Sequence, residues 1–177
     1  MLVIRDLQKK YRNYRLGYLW SLLEPLGMTL VLWLVFSVLL GARKLGLQPY
    51  VLFLTVAILP WWWFTKGVAA STRVFRRNSS QLLISMLPTQ VWVLRVQLVQ
   101  LAEFVVSLPV LIVAVVVTRT MPSPLIILFP VAVVLQFILM YGIALLISSW
   151  SLVVPDLERF VRIFMRAAFY LTPVLYS

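Results

Sequence analysis

An all-α integral membrane protein is the fold class this sequence predicts, on three observations. Hydrophobic residues make up 63% of its 177 residues, and the mean hydropathy is +1.00, a composition suited to lipid rather than water. The apolar residues are gathered into runs close to the roughly 20 residues that a helix needs to cross a bilayer. Lysine and arginine collect in alternate connections between those runs, so the net charge of +11 tracks membrane topology and not a nucleic-acid partner. The whole chain, 1–177, reads as one transmembrane domain.

Residues 1–18 predict an interfacial amphipathic helix. Leu7, Tyr11, Tyr14 and Tyr18 share one face, Arg5, Lys9 and Arg12 line the other, and the stems of Lys10 and Arg15 can lie along the apolar stripe. The first span runs from about 19 to 40, with Glu24 and Pro25 near its start. Arg43 and Lys44 mark the short loop after it. A second span, 50–70, carries Pro60, Trp61, Trp62, Trp63 and Phe64. Those rings begin about 11 residues into the segment, roughly 16 Å at helical rise, too deep for an interfacial aromatic belt. Pro60 removes a backbone donor and is expected to kink or break the helix there.

The stretch from Thr72 to Arg95 is the longest one too polar to lie in a bilayer. Arg73, Arg76 and Arg77 lead into Asn78 and Gln81, a loose capping box for a short helix over 81–86, which Pro88 then ends. Leu82, Leu83, Ile84 and Met86 would give that helix an apolar surface. Two readings stand for it: an ordinary positive-inside loop, or a docking element.

The third span, 91–117, places Gln97, Gln100, Glu103 and Ser107 on one side, which should face the bundle. Glu103 needs a partner at that depth, because an acid at mid-span costs about 2.5–3.5 kcal/mol on insertion scales. Gln136, in the fourth span at 125–150, is the group expected to pair with it. An interhelical hydrogen bond and a proton relay are the two roles open to Glu103. Asp156, with Pro155 before it, is expected to cap the next helix, and Glu158, Arg159 and Arg162 follow. A fifth apolar segment, 163–177, would reach only about 22 Å against a hydrocarbon core of roughly 30 Å. It is therefore expected to be an incomplete span, with the chain continuing in a longer protein. Placing the N-terminus in the cytoplasm leaves only Arg43, Lys44 and Arg119 outside, which sets the expected orientation.

The chemistry of catalysis is sparse. The chain has no cysteine and no histidine, so no thiol nucleophile, histidine base or usual metal site can be built. It has no phosphate-binding GxxxxGK[ST] loop, and no GxSxG, HExxH or CxxC. Apart from mid-span Glu103, every acid falls in the segments expected to be cytoplasmic, which argues against an outward-facing acid–base site.

Four stretches, in order, resemble the permease subunit of bacterial ABC-2 type exporters of polysaccharides, the group that moves O-antigen, capsule or teichoic-acid chains. They are LGYLWSLLEPL after the basic amphipathic start, AILPWWWFTKGV, LLISMLPTQVWVL with LAEFVVSL beyond it, and VVPDLERFVRIFMRAAFYLTPVLYS. The resemblance implies a helical permease in the bacterial cytoplasmic membrane that pairs with a second copy of itself and with a separate cytoplasmic ATPase subunit. ATP and Mg would then be bound by that partner and none by this chain. The cargo would be a glycan polymer or lipid-linked glycan, with membrane lipid around the permease. Trp61, Trp62, Trp63, Phe64, Glu103 and Gln136 become candidates for the substrate path. Leu82, Leu83, Ile84, Met86, Asp156, Glu158 and Arg159 become candidates for coupling to the ATPase. Sugar rings bind largely by stacking on aromatic faces, which the four consecutive rings offer, although core packing is the expected role of at least two of them. An ABC-2 permease for a drug or lipid, a membrane scaffold of a glycan-assembly complex, and a membrane glycosyl- or acyltransferase are the alternative readings.

Overall fold

The computed structural model describes residues 50–77, 87–119 and 123–172, with isolated positions between 23 and 34. The interfacial helix, most of the first span and the short helix expected over 81–86 lie outside the described residues. Helix α1 is Tyr50–Ser71 and α2 is Val74–Arg77; α3 is Thr89–Thr118. A 3-10 turn, Pro124–Leu128, leads into α4, Phe129–Val153, and α5 is Leu157–Leu171. No strand occurs among the described residues.

Three of these helical segments are long and apolar enough to cross a membrane: Leu52–Ser71, Thr89–Thr118 and Pro124–Val153. They cover much the same residues as the apolar runs at 50–70, 91–117 and 125–150. α1 continues through Pro60 without a break. The ring costs one backbone hydrogen bond, and packing on either side holds the helix together: Leu59 and Trp63 are both buried in the core. Pro130 sits in the first turn of α4, where its missing N–H is not needed.

The core has two layers. Leu59, Trp63, Phe104, Val110 and Met140 pack together within the bundle. Nearer the arginine-rich end, Val74, Phe75, Trp92, Val93 and Ala144 form the second cluster. α1 lies chiefly against α3, and α4 covers both. The outer surface of α4 is apolar and exposed through Val131, Leu135, Ile138, Leu139 and Leu146. Such a surface is stable in lipid and unsuited to water.

α5 starts where the expected Asp156 cap places it, but the capping bond is not made. It starts at Leu157, six residues before the fifth apolar segment begins, so Glu158, Arg159 and Arg162 are part of the helix. Asp156 stands at its N-cap position, but with φ −83° and ψ −3° it has helical backbone geometry, and its side chain makes no capping bond. A capping residue is normally extended, which is what turns its side chain back to the free N–H groups. Pro155 and Asp156 form a turn here, and the main-chain carbonyl of Asp156 accepts from the N–H groups of Arg159 and Phe160.

Candidate functional site

Two neighbourhoods carry the polar and aromatic groups singled out by the sequence: the α1–α3–α4 contact at membrane depth, and the arginine-rich end of the bundle.

At membrane depth the polar side of α3 does face the bundle. Gln97, Gln100 and Ser107 are buried, and Glu103 is half-buried. The Gln97 amide Nε2 donates to the carbonyl oxygen of Gly67 at 3.1 Å. Its Oε1 is buried without a hydrogen-bond partner. Gly67 is glycine for a steric reason: a Cβ there would collide with the Met140 methyl and stand 2.8 Å from Gln97 Oε1. The absence of a side chain lets α1, α3 and α4 meet at one point. Ser71 and Ser107 satisfy their hydroxyls locally, on the carbonyls of Val68 and Phe104.

Gln136 does not pair with Glu103. Its Nε2 donates to the Pro60 carbonyl oxygen at 2.8 Å. A carbonyl has two lone pairs, so it can take a side-chain donor in addition to a backbone one. Gln136 thus ties α4 to α1 at the proline.

The four rings of α1 divide by environment. Trp63 is only 3% exposed and stacks on Phe104, with centroids 4.5 Å apart and planes 16° apart. It belongs to the core and not to a path, and its indole N–H is buried without a hydrogen-bond partner. Phe64 packs against the same core cluster. Trp61 meets two rings, its centroid 6.0 Å from that of Phe64 and 6.0 Å from that of Phe169 on α5. Trp62 is half-buried, and the Lys66 ammonium stands 5.1 Å from the centre of its ring, within the range of a cation–π contact. Of the four rings Trp61, Trp62 and Phe64 are half-buried and Trp63 is buried.

At the arginine-rich end, Arg73 Nη2 donates to Glu158 Oε1 at 2.5 Å. The same oxygen accepts from Arg162 Nη2 at 3.2 Å, one helical turn on. Arg76 Nη2 donates to the Pro155 carbonyl oxygen at 2.6 Å. The hydrogen bond from Arg73, joined by the positive charges of Arg73, Arg162 and Arg76, holds the Glu158 carboxyl below the usual carboxylate range, against a smaller opposing effect of burial. Glu158 is thus engaged within the chain. Asp156 and Arg159 form only a long 3.8 Å pair and are exposed, at 83% and 79% of their side-chain surface. Of the charged coupling candidates, these two are available to a partner; Leu82, Leu83, Ile84 and Met86 lie outside the described residues. Sequence reasoning missed the Arg73–Glu158 pair, whose only signal was one of five acids standing among arginines.

Among the described residues no cluster of three or more His, Cys, Asp or Glu side chains could hold a metal. The arrangement of apolar helices, with polar side chains turned inward and charge gathered at one end, is that of a multi-pass membrane permease.

No family model matches the chain. Curated relatives do. It is 29% identical over 174 residues to an O-antigen export system permease protein RfbA of Klebsiella pneumoniae, an alignment that takes in 98% of this chain. It is 30% identical over 175 residues, 99% of the chain, to the protein of the same name from Myxococcus xanthus. The chain spans 66% of the length of each of these relatives. Over nearly its whole length the chain is similar to permeases named for O-antigen export, in keeping with the ABC-2 type permease resemblance of its sequence.

Proposed function

We propose that this protein is the membrane subunit of an ATP-driven exporter that moves a polysaccharide or lipid-linked glycan across the bacterial cytoplasmic membrane. The observation that carries the proposal is identity of 29–30% over nearly the whole chain to permeases named for O-antigen export. The chain supplies the path and no hydrolytic chemistry. A separate cytoplasmic ATPase would bind ATP and Mg, and a second copy of the permease would complete the conduit.

In this reading the N-terminus and the arginine-rich end face the cytoplasm, in keeping with the positive-inside rule. The ATPase would dock on the segment 82–86 and on the exposed Asp156 and Arg159. Trp61 and Trp62 would meet the sugar chain by stacking, while Trp63 and Phe64 hold the helices. Glu103, half-buried on the same polar side of α3 as Gln97, would serve the path or an interhelical hydrogen bond.

The experiment is complementation. The protein would be expressed with a candidate ABC ATPase subunit from the same source in a strain lacking its O-antigen export permease, and polymer would be measured at the cell surface and inside. Surface polymer returning with the pair, and not with the permease alone, is the expected result. Polymer that stays inside, with the permease inserted and the ATPase bound, would sink the proposal.

A further inference from the structure

We infer that Arg73 and Glu158 are positioning residues: their ion pair sets the contact of α5 with Trp61 at the far end of the helix. The inference rests on the proposed function only for the meaning of that contact, not for its existence.

Two points pin α5 to α1. One is the Arg73–Glu158 pair with its second ligand Arg162, backed by the bond from Arg76 to the Pro155 carbonyl. The other is the Trp61–Phe169 ring contact. Glu158 to Phe169 is roughly 16 Å along α5, and Trp61 to Ser71, the end of α1, is roughly 15 Å at 1.5 Å per residue, with Arg73 in the turn just beyond. The two helices therefore run side by side in opposite directions between the pins. α5 contains no glycine and no proline, so it has no built-in hinge between them.

Between the pins the helix is lightly held. Val161 is the one residue of α5 that is buried, whereas Phe160, Ile163, Phe164, Tyr170 and Leu171 are exposed. A stiff rod with little packing along its length transmits a displacement from one end to the other. A lone surface ion pair is worth little, since it must order two long side chains and is screened. This one differs, because a single carboxylate oxygen gathers two guanidinium groups and the neighbouring carbonyl is bound as well. The segment 73–76 that leaves α1 and the turn that starts α5 are thereby one unit. In the exporter, a push on that unit reaches the half-buried Trp61, a ring assigned to the sugar path.

The chain has no cysteine, so a W61C/F169C protein in native membranes can be joined by a short bifunctional thiol reagent. Cross-linking yield, per inserted protein, would be compared in that background and with E158R, R73E/E158R or R159E added. E158R is expected to lower the yield by about threefold, the scale of population shift open to a partly screened pair. The R73E/E158R swap is expected to restore it. In membranes of a strain without an ATPase partner, R159E should leave it unchanged, since Arg159 touches neither pin. Equal yields in all four proteins, or no recovery in the swap, would overturn the inference. The readout needs no transport: the expected yields together with failed complementation would remove the exporter reading and leave the positioning role standing.

Discussion

Trp63 lies flat on Phe104, ring on ring at 4.5 Å, in the layer where α1 and α3 meet. This pairing removes one of four consecutive rings from any conduit and gives it to the core. Trp63→Ala and Phe104→Ala should each destabilise the protein by about 3–5 kcal/mol, the usual range for deleting a buried aromatic side chain. Trp62→Ala, at a half-buried ring, should cost distinctly less. Thermal unfolding in detergent checks this. Equal losses at positions 62 and 63 would contradict the division of the rings.

Gly67 marks the closest approach of three helices. Gly67→Leu should cost about 1–3 kcal/mol, because overpacking forces neighbours off their preferred rotamers. The nearest obstacle is the flexible tip of Met140, so Met140→Ala should recover part of that loss. A double-mutant cycle on unfolding measures the coupling; strict additivity would show that the two positions do not compete for space.

Gln136→Leu should be mild. Interhelical hydrogen bonds in membranes average about 0.6 kcal/mol and reach about 1.7 kcal/mol at most, and the change removes one donor to Pro60. A loss well above that range would mean that Gln136 has a duty beyond tying α4 to α1.

Acid should loosen the Arg73–Glu158 pair, and the sign follows from the depressed carboxyl. A group whose folded value is lowered stabilises fully above its ordinary value and loses that stabilisation as pH falls through the lowered one. The ratio of cross-linking yield between positions 61 and 169 to that of E158Q at the same pH, which cancels the falling thiolate fraction, should therefore hold down to the ordinary glutamate range and fall only below it. In E158Q the yield should already be low at neutral pH and decline in acid only with the thiolate fraction. A ratio of the W61C/F169C protein to its E158Q variant that declines between pH 7 and 6 would assign the effect to something other than Glu158.

Much of this architecture was legible because membrane spans advertise themselves by length. The second, third and fourth spans are continuous apolar runs, and the helices found there begin and end within a few residues of them. The polar side of α3 was equally plain, since Gln97, Gln100 and Ser107 recur at helical spacing and the bilayer leaves them nowhere else to point. Pairing was not legible. Depth alone made Gln136 and Glu103 look like partners, but a main-chain carbonyl competes for a donor as well as any side chain does and leaves no trace in the residue letters. The start of α5 after Asp156 was legible, but its capping was not, since Asp156 takes helical backbone geometry and makes no capping bond, which the residue letters do not reveal.

Gln97 and Gln136 both bind carbonyls, of Gly67 and of Pro60, and not side chains. A main-chain acceptor survives any change of side chain at its own position. Position 60 can therefore change its side chain without deleting the acceptor, and position 67 is constrained by size and not by polarity. The evolutionary burden of these two cross-links falls on the glutamines alone. That gives the bundle a way to keep its helix register while the rest of its sequence drifts.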